Sequence, residues 1–165
     1  VNDFSAKFEE KDATVVLVDD EDMVLASLRS FLELETDYAV RAFTDSGEAL
    51  AYAREGQVDL VMSDFLMPGM NGIELLAEFG RHQPQAPRVL LTGYADKDSA
   101  IKAINEVGLF QYIEKPWDNT NLLVVVRNAL ERRFLVKALQ DKIAEIDRAE
   151  GKLSGLQNDI LKTFI

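Results

Sequence analysis

Short apolar runs recur five times along the first two thirds of the chain, at Thr14 to Val18, Tyr38 to Phe43, Leu60 to Ser63, Val89 to Leu91 and Gln111 to Ile113. They are too short for helices, rich in β-branched residues and without polar alternation, as expected of strands buried on both faces. Between them lie helix-period stretches at about Asp22 to Glu35, Gly47 to Glu55, Ile73 to Arg81 and Lys97 to Val107. Asp45 followed by Glu48 suits a capping box, and Gly56 and Gly108 stand where helices should stop. Pro84 and Pro87 mark a loop, and His82, the one histidine, reads as exposed within it. Strand and helix in strict alternation predict a three-layer α/β fold, a parallel sheet covered by helices.

From Asn119 the pattern becomes one long helix with no proline after Pro116. Val136, Leu139, Ile143, Ile146, Glu150, Leu153, Gln157, Ile160 and Phe164 follow one another at alternating steps of three and four, the spacing of a coiled-coil seam. Lys142 and Asp147 flank that seam with charges that can pair between parallel helices. Gly151 and Gly155 weaken it, since each glycine costs a helix interior roughly 1 kcal/mol relative to alanine. The expected organisation is an N-terminal extension (1–13), an α/β domain (14–130) and a helical coiled-coil linker (131–165). The uncapped seam at Ile165 suggests a longer natural chain with an output domain beyond it. The seam has two readings, a homodimer interface or a helix packed back on the domain.

Composition narrows the function. The net charge of -11 is unevenly spread: 10 Lys+Arg stand against 23 Asp+Glu up to Val126, and 8 against 6 from Arg127 onward. An acidic body lacks the clustered cations that phosphate backbones reward, so no nucleic-acid contact is expected from this fragment. No apolar run approaches the roughly 20 residues of a membrane span, and Val1 to Glu10 does not resemble a secretion signal. Cytoplasm is the default location. With no cysteine, disulfides and thiolate metal sites are excluded.

In an open parallel sheet, functional residues gather at the carboxyl ends of the strands. Asp19 and Asp20 follow the first strand, Asp64 the third, Thr92 the fourth and Lys115 the fifth, so all five converge on one edge. Three carboxylates together repel and raise at least one pKa unless a cation intervenes. Oxygen ligands without cysteine suit Mg²⁺, which takes one or two carboxylates, waters and a phosphate oxygen. Given a phosphate, Asp64 can act as nucleophile on phosphorus, Lys115 can offset the phosphoryl charge, and the Thr92 hydroxyl can donate to one of its oxygens. Each residue alone has a plainer reading. The Asp19–Asp20 pair can start a helix, Asp64 end a strand in solvent, Thr92 form a turn, Lys115 be a surface charge and Tyr112 simply pack.

The strings "VVLVDDE", "SDFLMPGMNG", "LLTGYAD" and "YIEKPW", in this order and spacing, resemble the receiver domain of bacterial two-component response regulators over about Thr14 to Leu130. The resemblance implies a doubly wound five-stranded sheet of order 2-1-3-4-5, with two helices on one face and three on the other. It makes Asp64 the phosphoacceptor, served by a sensor histidine kinase or phosphotransfer protein. Asp20 would bind Mg²⁺ directly, Asp19 through water, and the Leu66 backbone carbonyl would be a further ligand. Thr92 and Tyr112 match the switch pair, Lys115 the phosphate-contacting lysine, and the Lys115-Pro116 bond would be cis. Leu66 stands where the family often has a polar residue, and Tyr94 where it often has a small one. That departure suggests that the two side chains shield the acyl phosphate from water. Trp117 and "LTGYAD" look like receivers attached to HD-GYP phosphodiesterases or PP2C-type phosphatases.

The expected function is a phosphorylation-dependent switch, not an independent enzyme. One rival is a small-molecule phosphatase, but haloacid-dehalogenase-like enzymes carry their nucleophile after the first strand with a second Asp two residues on. Another is a docking scaffold without phosphoryl chemistry, against which the intact five-residue set argues. A flavodoxin-like cofactor binder would need a Gly/Ser/Thr-rich loop after the first strand, which is absent.

Overall fold

The computed structural model describes residues 9–163, with the side chains at 153, 154 and 157–163 outside the description. Five strands, β1 (Thr14–Val18), β2 (Ala39–Phe43), β3 (Leu60–Asp64), β4 (Arg88–Thr92) and β5 (Gln111–Glu114), form one parallel sheet of order β2-β1-β3-β4-β5. Each strand is followed by a helix: α1 (Asp22–Glu35), α2 (Ser46–Glu55), α3 (Gly72–His82), α4 (Lys97–Glu106) and α5 (Asn119–Thr163). The predicted elements agree to within a residue or so at their ends. His82 is the clearest departure. It is the last residue of α3 rather than part of a loop, with Nε2 3.8 Å from Glu78 one turn earlier.

The period of two along the strands divides the core. Val15, Leu17, Leu60, Met62, Val89 and Leu91 face α1 and the first part of α5, while Val16, Val18, Val61 and Leu90 face α2, α3 and α4. That is the two-and-three layering expected of a doubly wound sheet. β3 is buried at every position, which is why its sequence shows no alternation. Asp45 accepts a hydrogen bond from the Glu48 amide and Asn71 one from the Glu74 amide, capping α2 and α3.

α5 changes character along its length. Leu122, Val125, Val126, Ala129 and Leu130 are buried against the sheet. Beyond them the helix leaves the domain, and Leu135, Leu139, Ile143 and Ile146 are each about half exposed. At 3.6 residues per turn these four centre roughly a third of a turn away from the buried stripe, so they do not simply prolong it. The backbone stays helical through Gly151 and Gly155. The remaining seam positions Leu153, Gln157, Ile160 and Phe164 lie outside the described side chains, and residues 1–8 of the N-terminal extension outside the description altogether. Among the described residues, no helix is long and apolar enough to cross a membrane.

Candidate functional site

β1 and β3 lie side by side although α1, β2 and α2 separate them in the chain, so the sheet's connections turn to opposite sides between them. Ligand sites of doubly wound sheets form at that gap, outside the carboxyl ends of the strands. The register pairs Val18 with Ser63, which sets Asp19 beside Asp64. Asp19, Asp20 and Asp64 each offer a carboxylate oxygen within 4.8 Å of the others. Asp19 and Asp64 are buried and Asp20 is exposed, giving the cluster a floor and an open side.

Backbone geometry holds the carboxylates in place. Asp19 Oδ1 accepts from the Glu21 amide at 2.9 Å, and Asp64 Oδ1 from the Phe65 amide at 2.9 Å. After Phe65 the chain turns through Gly69 (φ 78°) and returns so that the Gly72 amide donates to the Phe65 carbonyl at 2.8 Å. A Cβ at Gly72 would run into the Asp64 carbonyl oxygen, so only glycine lets α3 start this close to the site.

Lys115 reaches the cluster from the end of β5. Its Nζ lies 2.8 Å from Asp64 Oδ1 and 3.4 Å from Asp19 Oδ2. The Lys115-Pro116 peptide bond is cis, and the Lys115 amide donates to the Thr92 carbonyl at 2.8 Å. Thr92 is fully buried, and its hydroxyl donates weakly to the Gly93 carbonyl at 3.3 Å. Tyr112 is partly buried against the core beneath α2, α3 and α4. The register that pairs Thr92 with Glu114 and Leu90 with Tyr112 turns Thr92 and Tyr112 to the same face of the sheet. Leu66 and Tyr94 are 64% and 78% exposed beyond the strand ends.

The electrostatics leave a charge unmet. Burial pushes the Asp19 carboxyl up, and Asp64 adds to the rise, while the Glu21 amide and Lys115 only partly oppose it. Burial pulls the Lys115 ammonium down, yet the hydrogen bond to Asp64 and the charge of Asp19 outweigh it and hold the group above its ordinary value. Three carboxylates face one ammonium, so the excess is two negative charges. A divalent cation would neutralise it, and the all-oxygen donor set with one solvated side fits Mg²⁺.

Two charged groups stand outside the sequence expectations, the buried Asp59 and the half-buried Arg88. Asp59, just before β3, accepts from the Thr14 amide at 2.9 Å, and its Oδ1 lies 3.6 Å from Arg133 Nε on α5. Arg88, at the start of β4, donates to the carbonyls of Leu76 and Gly108. A charged residue bordering an apolar strand is their only signal in the sequence.

The fold and this edge define a class: a doubly wound α/β domain with an acidic carboxylate cluster and one positioned lysine at its topological switch point. Residues 15–127 match the model of the response regulator receiver domain. The chain belongs to that family and is the receiver domain of a two-component response regulator, a class that is typically not an independent enzyme. Its acidic cluster is typical of the Mg²⁺ site of such domains. The hydrogenase transcriptional regulatory protein HoxA of Cupriavidus necator is 36% identical over 126 residues, 76% of this chain but 26% of HoxA. The chain thus spans about a quarter of that relative. The transcriptional regulatory protein FixJ of Rhizobium meliloti is 29% identical over 154 residues, 93% of this chain and 74% of FixJ. The signal receiver domain of an HD domain-containing protein from Pseudomonas fluorescens is 36% identical with a TM-score of 0.69, covering 73% of this chain and 96% of that one.

Proposed function

We propose that Asp64 accepts a phosphoryl group from a histidine kinase or phosphotransfer protein, and that the resulting acyl phosphate shifts the domain between two conformations. The observation that carries this reading is the placing of Lys115 Nζ 2.8 Å from Asp64 within a carboxylate cluster short of positive charge. Asp64 Oδ1 accepts both the Phe65 amide and Lys115, leaving Oδ2 with its lone pairs uncommitted among the described residues. One carboxylate oxygen attacks phosphorus as the P–N bond of the donor phosphohistidine breaks, its electron pair returning to the imidazole nitrogen. Asp20, Asp64 and the Leu66 carbonyl would hold Mg²⁺, with Asp19 acting through water, and the bound ion would neutralise charge on the transferring group. Lys115 then turns from Asp64 toward a phosphoryl oxygen.

Thr92 supplies the switch. Its hydroxyl spends its hydrogen on a long bond to Gly93, and a charged phosphoryl oxygen is the better acceptor. Movement of Thr92 toward the phosphate frees volume on the face it shares with Tyr112, which turns inward and alters the surface of α4, β5 and α5. The exposed stripe of α5 pairs two copies of the chain, carrying the change to an output domain beyond this sequence. Transcription control, as named for HoxA and FixJ, and an HD-domain output are both compatible with such a helix. The setting is cytoplasmic, where a kinase can reach Asp64.

The test is incubation with acetyl phosphate and Mg²⁺, followed by intact mass and solution molecular weight. The wild type gains one phosphoryl group and the Asp64→Asn variant none. A phosphorylated variant overturns the site. An oligomer size that beryllofluoride with Mg²⁺ leaves unchanged overturns the coupling to dimerisation.

A further inference from the structure

A second concentration of charge lies at the end of the sheet opposite Asp64. The amino ends of β4 and β5, the turn at 84–87 and α5 near its exit border a half-open cavity of about 320 Å³, within the range of small-molecule sites. Arg88, Arg132 and Arg133 line it, against apolar walls from Pro84, Phe110 and Val136. Arg133 is matched by Asp59 at 3.6 Å. The other two arginines have no carboxylate within ion-pair distance among the described residues. Arg88 donates Nη1 to the Leu76 carbonyl and Nη2 to the Gly108 carbonyl, each at 3.2 Å and each a neutral acceptor. A guanidinium carries five N–H donors, so donors remain unspent. Arg132 lies over the Phe110 ring, 5.6 Å from its centroid.

The fold makes room for this arrangement. A Cβ at Gly80 would collide with Arg88 Nη1, and one at Gly108 would come within 3.1 Å of Nη2. Burial draws the Arg88 guanidinium below its ordinary pKa, as befits a cation without a counter-charge. The chain has 29 acidic residues against 18 basic ones, so a shortage of carboxylates does not explain two unmatched arginines beside one cavity.

We propose that this cavity is an effector site for a small dianion, a dicarboxylate or a phosphate monoester, whose oxyanion oxygens bridge Arg88 and Arg132 while its carbon skeleton rests on Phe110 and Pro84. Arg88 belongs to β4, whereas Arg132 and Val136 belong to α5 where it leaves the domain. A bound dianion therefore ties the root of the exposed helix to the sheet, independently of Asp64. Such a ligand opposes any separation of α5 from the sheet.

The test is titration of the 165-residue chain without Mg²⁺, at matched ionic strength, with succinate, glycerol phosphate and the neutral succinamide, followed by amide NMR. At least one dianion produces saturable shifts at Gly108, Phe110 and Arg132, and succinamide produces none. Which dianion binds assigns carboxylate or phosphate chemistry. Arg132→Gln weakens binding about tenfold or more, the loss expected for one charge-assisted contact, and Arg132→Lys recovers part of it. Both variants still label with acetyl phosphate. Shifts confined to the Asp19 and Asp64 edge, failure of both dianions to saturate, or unchanged affinity in Arg132→Gln would overturn the proposal.

Discussion

Replacing Asp19 by asparagine tests whether the carboxylate cluster is held together at the expense of stability. Asp19 Oδ2 lies 3.4 Å from Lys115 Nζ, and its carboxylate lies within 4.8 Å of both Asp64 and Asp20. At an effective dielectric of about 20 the attraction to the ammonium is about 5 kcal/mol and each repulsion about 3.5 kcal/mol. Solvent screens the exposed Asp20, so the charge–charge contributions come close to cancelling. Burial of Asp19, the largest push on its carboxyl, tips the balance against the charged form, by an expected ~1–2 kcal/mol. The substituted amide would keep a carbonyl oxygen for the Glu21 N–H, and Lys115 would keep Asp64. In chelator at neutral pH, the Asp19→Asn variant is therefore the more stable protein by that amount, raising Tm by about 2–4 °C per kcal/mol for a chain of this size.

Mg²⁺ reverses the order. The wild type gains about 2.7 kcal/mol at a hundred times Kd, and the variant, short of a ligand, gains less. The pH dependence has a fixed sign as well. The Asp19 pKa is raised in the folded state, so its contribution to stability is fully present below 3.8 and is lost as pH rises through the raised value. Urea titrations of both proteins, in chelator and in Mg²⁺, across the acid range will show a wild-type disadvantage that grows from acid to neutral. A variant less stable than wild type in chelator at neutral pH refutes the electrostatic account.

Buried contacts and the exposed Tyr94 give three further expected outcomes. Arg133→Met leaves Asp59, 2% exposed at its side chain, without its cation, and urea denaturation should show a loss of about 3 kcal/mol that Asp59→Asn partly restores. Gly72→Ala forces α3 away from the Asp64 carbonyl, costing about 1–3 kcal/mol and slowing acetyl phosphate labelling, whereas Gly151→Ala, with open space around it, should do neither. If Tyr94 shields the acyl phosphate, Tyr94→Ala speeds phosphate release severalfold; unchanged decay of the phosphorylated protein rejects that role.

The site was legible because its residues are tied to strand ends. Once β1, β3, β4 and β5 are recognised, the residues at or just beyond their carboxyl ends are Asp19, Asp20, Asp64, Thr92 and Lys115, and a parallel sheet has only one carboxyl edge on which to collect them. The Asp59–Arg133 pair and the arginine cavity were not legible for the converse reason. Asp59 precedes β3 and Arg133 lies well inside α5, and no local period connects them. His82 was misplaced because α3 continues a residue beyond its apolar repeat, up to the capping contact of Gln83 with Phe79.

The amino-acid order by itself determined the alternation of elements, the helix-covered parallel sheet and the identity of the acidic edge, since these depend on periods of two and 3.6 and on the residues at each strand's carboxyl end. Only the tertiary structure decided how far apart the carboxylates lie, that Lys115 already spans two of them, and that the exposed stripe of α5 is rotated away from its buried one. Those are properties of strand register and of how a helix is rolled against the sheet. Both are set by packing between distant segments, which no local pattern encodes.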